Sequence, residues 1–325
     1  MTKLDPFLLS PVLSERPWGG TRLAQFGKHL PDGVPIGESW EVADLPDGVA
    51  SGIPDPRSRV AGGPHVGLSL ADLITSHGDD LMGEAEPTPE GRFPLLVKLI
   101  DANEPLSIQV HPPADYVATH PDARLKTESW YVIEAAHDAE LFIDFADGIA
   151  DEQIGGAVGS PALVPLIRRR SVSAGMFQHV PAGLVHSIGA GVLLAEVQTP
   201  SDTTFRMYDW AVELGRAPRE MHIEQALGSI RRSPEEAFDL AAFPGPGARD
   251  LISCGHYWMR EHRLAGGLIG LRPTGGPTIL MIVAGAVDVD GLGVGRGGTA
   301  MIPASSTPAV TASPGTTVLE VGLVP

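Results

Sequence analysis

Apolar residues fall mostly in short compact or alternating runs along this chain, and only rarely at helical spacing. Pro94–Ile100 is a compact apolar run, and Leu106–His111 alternates apolar with polar residues, so both predict strands. Similar runs predict strands at Glu128–Glu134, Glu140–Phe145, Ser171–Val180, Val192–Thr199 and Thr204–Trp210. Residues 1–65, broken by Pro and Gly, read as strands and loops, and 84–92 as an acidic loop. Helical signals are few. Ser69 with Asp72 three residues on predicts a capped helix that ends near Gly78. Residues 148–160 suggest a small helix or loop. Glu220–Ile230 and Pro234–Leu240 have helical spacing, the latter behind Ser233 as cap. After Phe243-Pro244-Gly245-Pro246-Gly247, which reads as a linker, strands return to the end. The expected architecture is mainly β: one unit over 1–212, a helical linker over 213–252 and a second β unit over 253–325.

Composition agrees with this picture and narrows the function. The 39 glycines and 30 prolines suit many short strands joined by tight turns. A net charge of −17 excludes nucleic acid and anionic membrane as partners, because phosphate-rich surfaces need a basic face. An anionic small-molecule substrate would need cations gathered locally against that field. Cys254, the 1 cysteine, rules out an intrachain disulfide and a thiolate cluster, and reads as a small hydrophobe. Met-Thr-Lys-Leu-Asp-Pro lacks the features of a signal peptide, and no apolar run reaches the ~18 residues of a membrane span, so a cytoplasmic protein is expected. Monomer and homo-oligomer both stay open.

The alternating strands carry the chemistry. Leu106, Ile108 and Val110 share one face; Ser107, Gln109 and His111 share the other, and Gln109 and His111 at i, i+2 can reach one metal ion. A solvent-facing strand explains the same polar face equally well. Lys126 and Glu128 share a second strand face, and Glu128 is a possible third ligand. Gly175, Pro181, Gly183 and His186 fit the second cupin motif, G-x5-P-x-G-x-x-H, which sets a histidine at a fixed depth. Gln109, His111, Glu128 and His186 then form a mixed nitrogen and oxygen site with an open position, suited to zinc, with manganese, iron, cobalt and nickel as alternatives. Glu196 and Gln198 share a face of a further strand. Arg206 lies inside a strand, where it pairs with Glu196 or Asp209 or else faces an anion.

These segments together resemble the type I mannose-6-phosphate isomerases, in the short bacterial form of that cupin family. The resemblance rests on Phe93–Lys98, Leu106–Pro112, Lys126–Tyr131, Pro181–His186, Glu196–Gln198 and Ser201–Arg206, with Trp18-Gly19-Gly20 and Ile36–Trp40 as N-terminal signatures. It implies a double-stranded β-helix (cupin) barrel and a zinc held by Gln109, His111, Glu128 and His186. It also implies a sugar-phosphate pocket lined by Lys98, Lys126, Glu196 and Arg206, with Ser107 a further phosphate contact. The chain reads Lys-Thr-Glu where longer members read Lys-Pro-Glu.

The implied reaction moves a proton between C1 and C2 of mannose 6-phosphate and fructose 6-phosphate. It requires charge at the carbonyl oxygen, from metal and Arg206, and a base, for which Lys98, Lys126 and Glu196 are candidates. Competing readings are an isomerase or epimerase of another sugar phosphate, a non-catalytic sugar-binding cupin, and a metal-cupin oxygenase. In the last 73 residues Gly297, Pro303 and Pro308 follow the 175–186 template with proline in place of the histidine. That predicts a second, degenerate cupin unit without a metal site.

Overall fold

A computed structural model describes residues 4–49, 52–232 and 238–324. The first unit is built on eight strands: β1 (Leu96–Ala102), β2 (Ile108–Val110), β3 (Glu128–Ala135), β4 (Glu140–Phe145), β5 (Ile167–Ser171), β6 (Phe177–Val180), β7 (His186–Ile188) and β8 (Val192–Gln198). They form two sheets, ordered β6-β3-β8-β1 and β2-β7-β4-β5. The second unit repeats this with β9 (Tyr257–Leu264), β10 (Gly267–Leu268), β11 (Thr278–Ala284), β12 (Ala286–Val289), β13 (Leu292–Gly295), β14 (Thr299–Ile302), β15 (Val310–Ala312) and β16 (Thr316–Leu323). Its sheets run β14-β11-β16-β9 and β10-β15-β12-β13, the same order strand for strand. The larger sheets gain flanking strands. Asp239–Leu240, Ile36–Val42 and Val12–Gly20 extend the first; Gly247–Ser253, Phe7–Ser10 and Arg59–Val60 extend the second. Phe7–Ser10 therefore pairs with β14 of the second unit although it opens the chain. Among the described residues no sheet closes on itself.

Strand alternation sorts the apolar residues into layers. Val97, Leu99, Tyr131, Ile133, Leu193, Ala195 and Val197 face out of the first unit. They pack against Tyr257, Met259, Ile279, Met281, Leu319 and Val321 of the second, so the two large sheets share one core. The opposite faces look inward, each toward its own small sheet. Helical turns at Asp151–Ala157 and Ile223–Ser229 cover the outer side of the first small sheet, over Ile108, Val110, Phe142 and Phe145.

Several expected boundaries move. The helix capped by Ser69 and Asp72 forms with its reciprocal capping box, but it runs on to Met82 across a non-helical His77. The strand expected over Leu106–His111 keeps ladder pairing only at Ile108–Val110, because Pro105 and Pro112 bracket it. Ser171–Val180 divides at a turn where Gly175 has φ 86°. The helix expected at Pro234–Leu240 falls largely on 233–237, outside the described residues; its end, Asp239–Leu240, is a strand on β6. Among the described residues no helix is long and apolar enough to cross a membrane.

Candidate active site and metal centre

Register assembles the site as two facing rows. In the small sheet Gln109 lies between His186 on β7 and Arg206 on Phe205–Tyr208. In the large sheet Glu196 lies between Lys98 on β1 and Trp130 on β3, with Trp40 beyond Lys98. Adjacent in-register side chains on one face are neighbours across a sheet, so both rows face the same interior. Between them is a cavity of about 610 Å³, lined by Ser107, Gln109, Lys98, Lys126, Glu128, Glu196 and Arg206 among others.

His111, Glu128 and His186 converge at its buried end, with their ligand atoms within 4.8 Å of one another. His111 Nε2 is 3.2 Å from Glu128 Oε2, and His186 Nε2 is 3.3 Å from Glu128 Oε1. Each histidine turns its other nitrogen to a backbone carbonyl: Nδ1 of His111 to Thr203 at 3.0 Å, and Nδ1 of His186 to Leu184 at 2.8 Å. That fixes the Nδ1–H tautomer and leaves Nε2 as a lone pair aimed at the carboxylate. Burial, reinforced by the Lys126 cation, pushes His111 down to about 3. Burial also lowers His186. Both imidazoles are therefore neutral at physiological pH. Burial alone would raise the Glu128 carboxyl, but the Lys126 ammonium, 3.0 Å away, holds it well below the ordinary range. The result is a set of buried acceptors facing one another: His111 Nε2 and Glu128 Oε1 have no hydrogen-bond partner, and Glu128 Oε2 has only the Lys126 ammonium beside it. Buried acceptors facing one another are costly unless a cation lies between them. Gln109 joins them, its amide 3.3 Å from His186 Nε2 and 3.1 Å from Ser107 Oγ. A half-turn of that amide presents its oxygen to the same point and its NH2 to Ser107.

The other wall carries charge. Lys98 is 3.2 Å from Glu196 and 3.8 Å from Glu38. Burial would lower its pKa, but these two carboxylates overcome that and raise it, so Lys98 stays a cation. Glu196 is raised by burial and by the charge of Glu128; its Oε2 accepts from Trp130 Nε1 at 2.9 Å. Arg206 pairs with neither Glu196 nor Asp209. Asp209 is gripped by Arg219 through contacts of 2.8 and 2.9 Å, while Arg206 donates to the Glu220 carbonyl and keeps a buried, unpartnered Nε. Burial and the Arg219 charge push Arg206 down to about 10, still protonated at neutral pH.

Several lining residues escape a reading by strand alternation alone. Arg16 forks onto Glu38 at 3.1 and 3.3 Å, and Glu38 also accepts from Trp40 at 2.6 Å. Trp18, Asp202, Arg219 and His222 line the cavity as well. Glu38 and Trp18 fall in the two N-terminal signatures; Arg16 lies on Val12–Gly20, whose pairing shifts register, Arg219 lies in an irregular segment, and His222 is the N-cap residue of the helix Ile223–Ser229. His179 inside the motif turns away from the cavity and contacts Ser129 at 2.9 Å. Cys254 is half-buried, its Sγ 3.4 Å from the Tyr257 carbonyl.

Residues 7–147 match the model for the phosphomannose isomerase type I catalytic domain. A mannose-6-phosphate isomerase of Bacillus subtilis (strain 168) is 37% identical over 228 residues, covering 70% of this chain and 68% of the relative. One from Streptococcus mutans is 35% identical over 226 residues, 69% of this chain and 67% of the relative. The crystal structure of the mannose 6-phosphate isomerase from Bacillus subtilis superposes with a TM-score of 0.79 at 25% identity, over 98% of this chain and 100% of that one. A mannose 6-phosphate isomerase crystallised with zinc and yttrium superposes at 0.71 with 19% identity, over 98% of this chain and 100% of that one.

Proposed function

The chain belongs to the type I phosphomannose isomerase family, and from that premise we propose how its cavity interconverts mannose 6-phosphate and fructose 6-phosphate. The enzyme is an aldose–ketose isomerase. Its reading as a double-stranded β-helix with a degenerate second unit is supported by the repeated strand order and the repeated turn at Gly175 and Gly297. The 1–212, 213–252 and 253–325 division follows the same repeat, with Phe7–Ser10 crossing to the second unit.

The observation that carries the reading is the convergence of the buried acceptors of His111, Glu128 and His186 on one point, in a site with Lys98, Lys126 and Arg206. The donor set of His111, His186, Glu128 and Gln109 contains no thiolate and fits zinc. When bound, the ion supplies positive charge against which electron density can build at the substrate's oxygens.

The remaining roles fall to side chains. Arg206 adds a second, preorganised positive charge for the developing enediolate. Lys98, held protonated between Glu38 and Glu196, binds substrate and is unsuited as a base. Glu196 moves the proton between C1 and C2, since a carboxylate whose pKa is raised by burial comes closer to working pH. Ser107 and Lys126 complete the contacts with the phosphorylated sugar. Phosphorylated sugars do not cross membranes unaided, so a cytoplasmic location is part of the same reading.

The test is a coupled assay of mannose 6-phosphate to fructose 6-phosphate conversion on the protein as purified, after chelation, and after zinc is restored. Loss with chelation and recovery with zinc are expected. Stoichiometric metal without turnover would shift the substrate to another sugar phosphate.

A further inference from the structure

We propose that Tyr257, in the second unit, is a positioning residue for the metal centre, acting through Ser129 on the strand end that carries Glu128. The proposal rests on the reading of Glu128 as a metal ligand.

Alternation along β3 sends Glu128 into the cavity and Ser129 to the opposite side, toward the core shared by the two units. There Ser129 Oγ lies 2.9 Å from Tyr257 Oη and 2.9 Å from His179 Nδ1. Ser129, His179 and Tyr257 are 0%, 1% and 0% exposed. A hydroxyl both donates and accepts, so Ser129 Oγ links the Tyr257 phenol to His179 Nδ1 in one hydrogen-bonded chain. Glu128 is the first residue of β3, opposite Val180 and Gln198, and the chain before it from Ala123 has no ladder partner. Thr127 ties that side to Thr199 and Ala182 within the first unit. On the other side the hydroxyl chain anchors the same strand end to β9. Metal sites tolerate ligand displacements of only ~0.2 Å, so a loosened Ser129 reaches Glu128 directly.

The test compares wild type with Tyr257→Phe, which removes one hydroxyl and keeps the buried ring. Zinc affinity is measured by competition with a chromophoric chelator, and the absorption bands of the cobalt-substituted protein report ligand geometry. Tyr257→Phe is expected to lower zinc affinity ~10-fold, the small end of the range for outer-shell changes, and to shift the cobalt bands. Ser129→Ala should do the same, and the double variant should add nothing, because both break one chain. Ser129→Ala carries the test if Tyr257→Phe does not fold. Leu280→Ala, in the interior of the second unit, should lower Tm and leave zinc affinity and the cobalt bands alone. Native zinc affinity and cobalt bands in Tyr257→Phe, or additive losses in the double variant, overturn the proposal. If wild type itself takes up no stoichiometric zinc, the reading of Glu128 fails instead.

Discussion

The two sheet pairs share a strand order and the same turn, yet their interiors are filled with different chemistry. Gly175 donates to the Val132 carbonyl at 2.8 Å, and Gly297 donates to the Ile282 carbonyl at 2.7 Å. Glu128 pairs with Val180 just before Pro181; Thr278 pairs with Ile302 just before Pro303. The template thus puts Thr278 where Glu128 stands and Pro308 where His186 stands. Leu280, Ile282, Val287, Val294, Val310 and Val318 fill the second interior. A buried pair stands there too, His262 with Glu320 at 2.6 Å, and Glu320 also accepts from the Arg272 backbone. The first interior instead holds Lys98, Lys126, Glu128 and Glu196, all buried, beside the facing acceptors of His111, Glu128 and His186. A fold that can be filled with aliphatic side chains does not need such groups for stability. Their cost is compensated only by what they bind.

The sharpest way to break the comparison is to make the first interior more like the second. Glu128→Ala removes the carboxylate that both histidines face. Zinc should be lost, and kcat/KM should fall by more than the ~100-fold typical of outer-shell changes. Near-native turnover after rigorous chelation of this variant would remove the metal from the argument. Next in size is Arg206→Ala, expected to cost ~10²–10³ in kcat with zinc retained, as for loss of one preorganised oxyanion donor. A change confined to KM would make Arg206 a substrate clamp only.

Much of this contrast is written in the sequence. The alternation at Leu106–His111, the acid at Glu128 and the G-x5-P-x-G-x-x-H spacing single out His111, Glu128 and His186, the side chains that converge, because a period of two fixes which side chains share a face. Proline at 308 in the same spacing marks the unit without that histidine. What alternation cannot reveal is pairing between distant strands. That Lys98 would lie opposite Glu196, and be held protonated by it and Glu38, depends on the neighbours of β1. Arg206 turned from its expected partner because Arg219, from an irregular segment, takes Asp209. The pairing of Phe7–Ser10 with β14 is likewise a contact across nearly the whole chain, and no local pattern encodes it.

Third in size is a change in the second interior. Leu280 is fully buried among the residues that replace a cavity there. Leu280→Ala should cost about 2–5 kcal/mol of stability, the range for deleting a buried aliphatic side chain. Turnover per folded molecule should stay native, because the shared core separates Leu280 from the cavity. Denaturant unfolding alongside steady-state assays checks this. A fall in kcat at temperatures where the variant is fully folded would mean that the second interior is coupled to the first beyond the shared core.

The smallest effect comes from restoring the missing histidine. Pro308→His completes the motif of the second unit, and a motif alone would predict a second metal site. The other ligand positions argue against one. Thr278 offers a hydroxyl in place of a carboxylate, and β10 is Gly267–Leu268, with no imidazole or amide to match Gln109 and His111. A lone half-buried histidine beside an aliphatic core has no partner ligands to share an ion. Metal analysis of Pro308→His should therefore give the same zinc content as wild type. Stability should fall by about 0.4–1 kcal/mol, from the extra freedom of the unfolded chain. A second equivalent of zinc would show that the template confers metal binding by itself. An unchanged content locates the difference between the units in the combination of strands β2, β3 and β7, where the proposed ligands of the first unit converge.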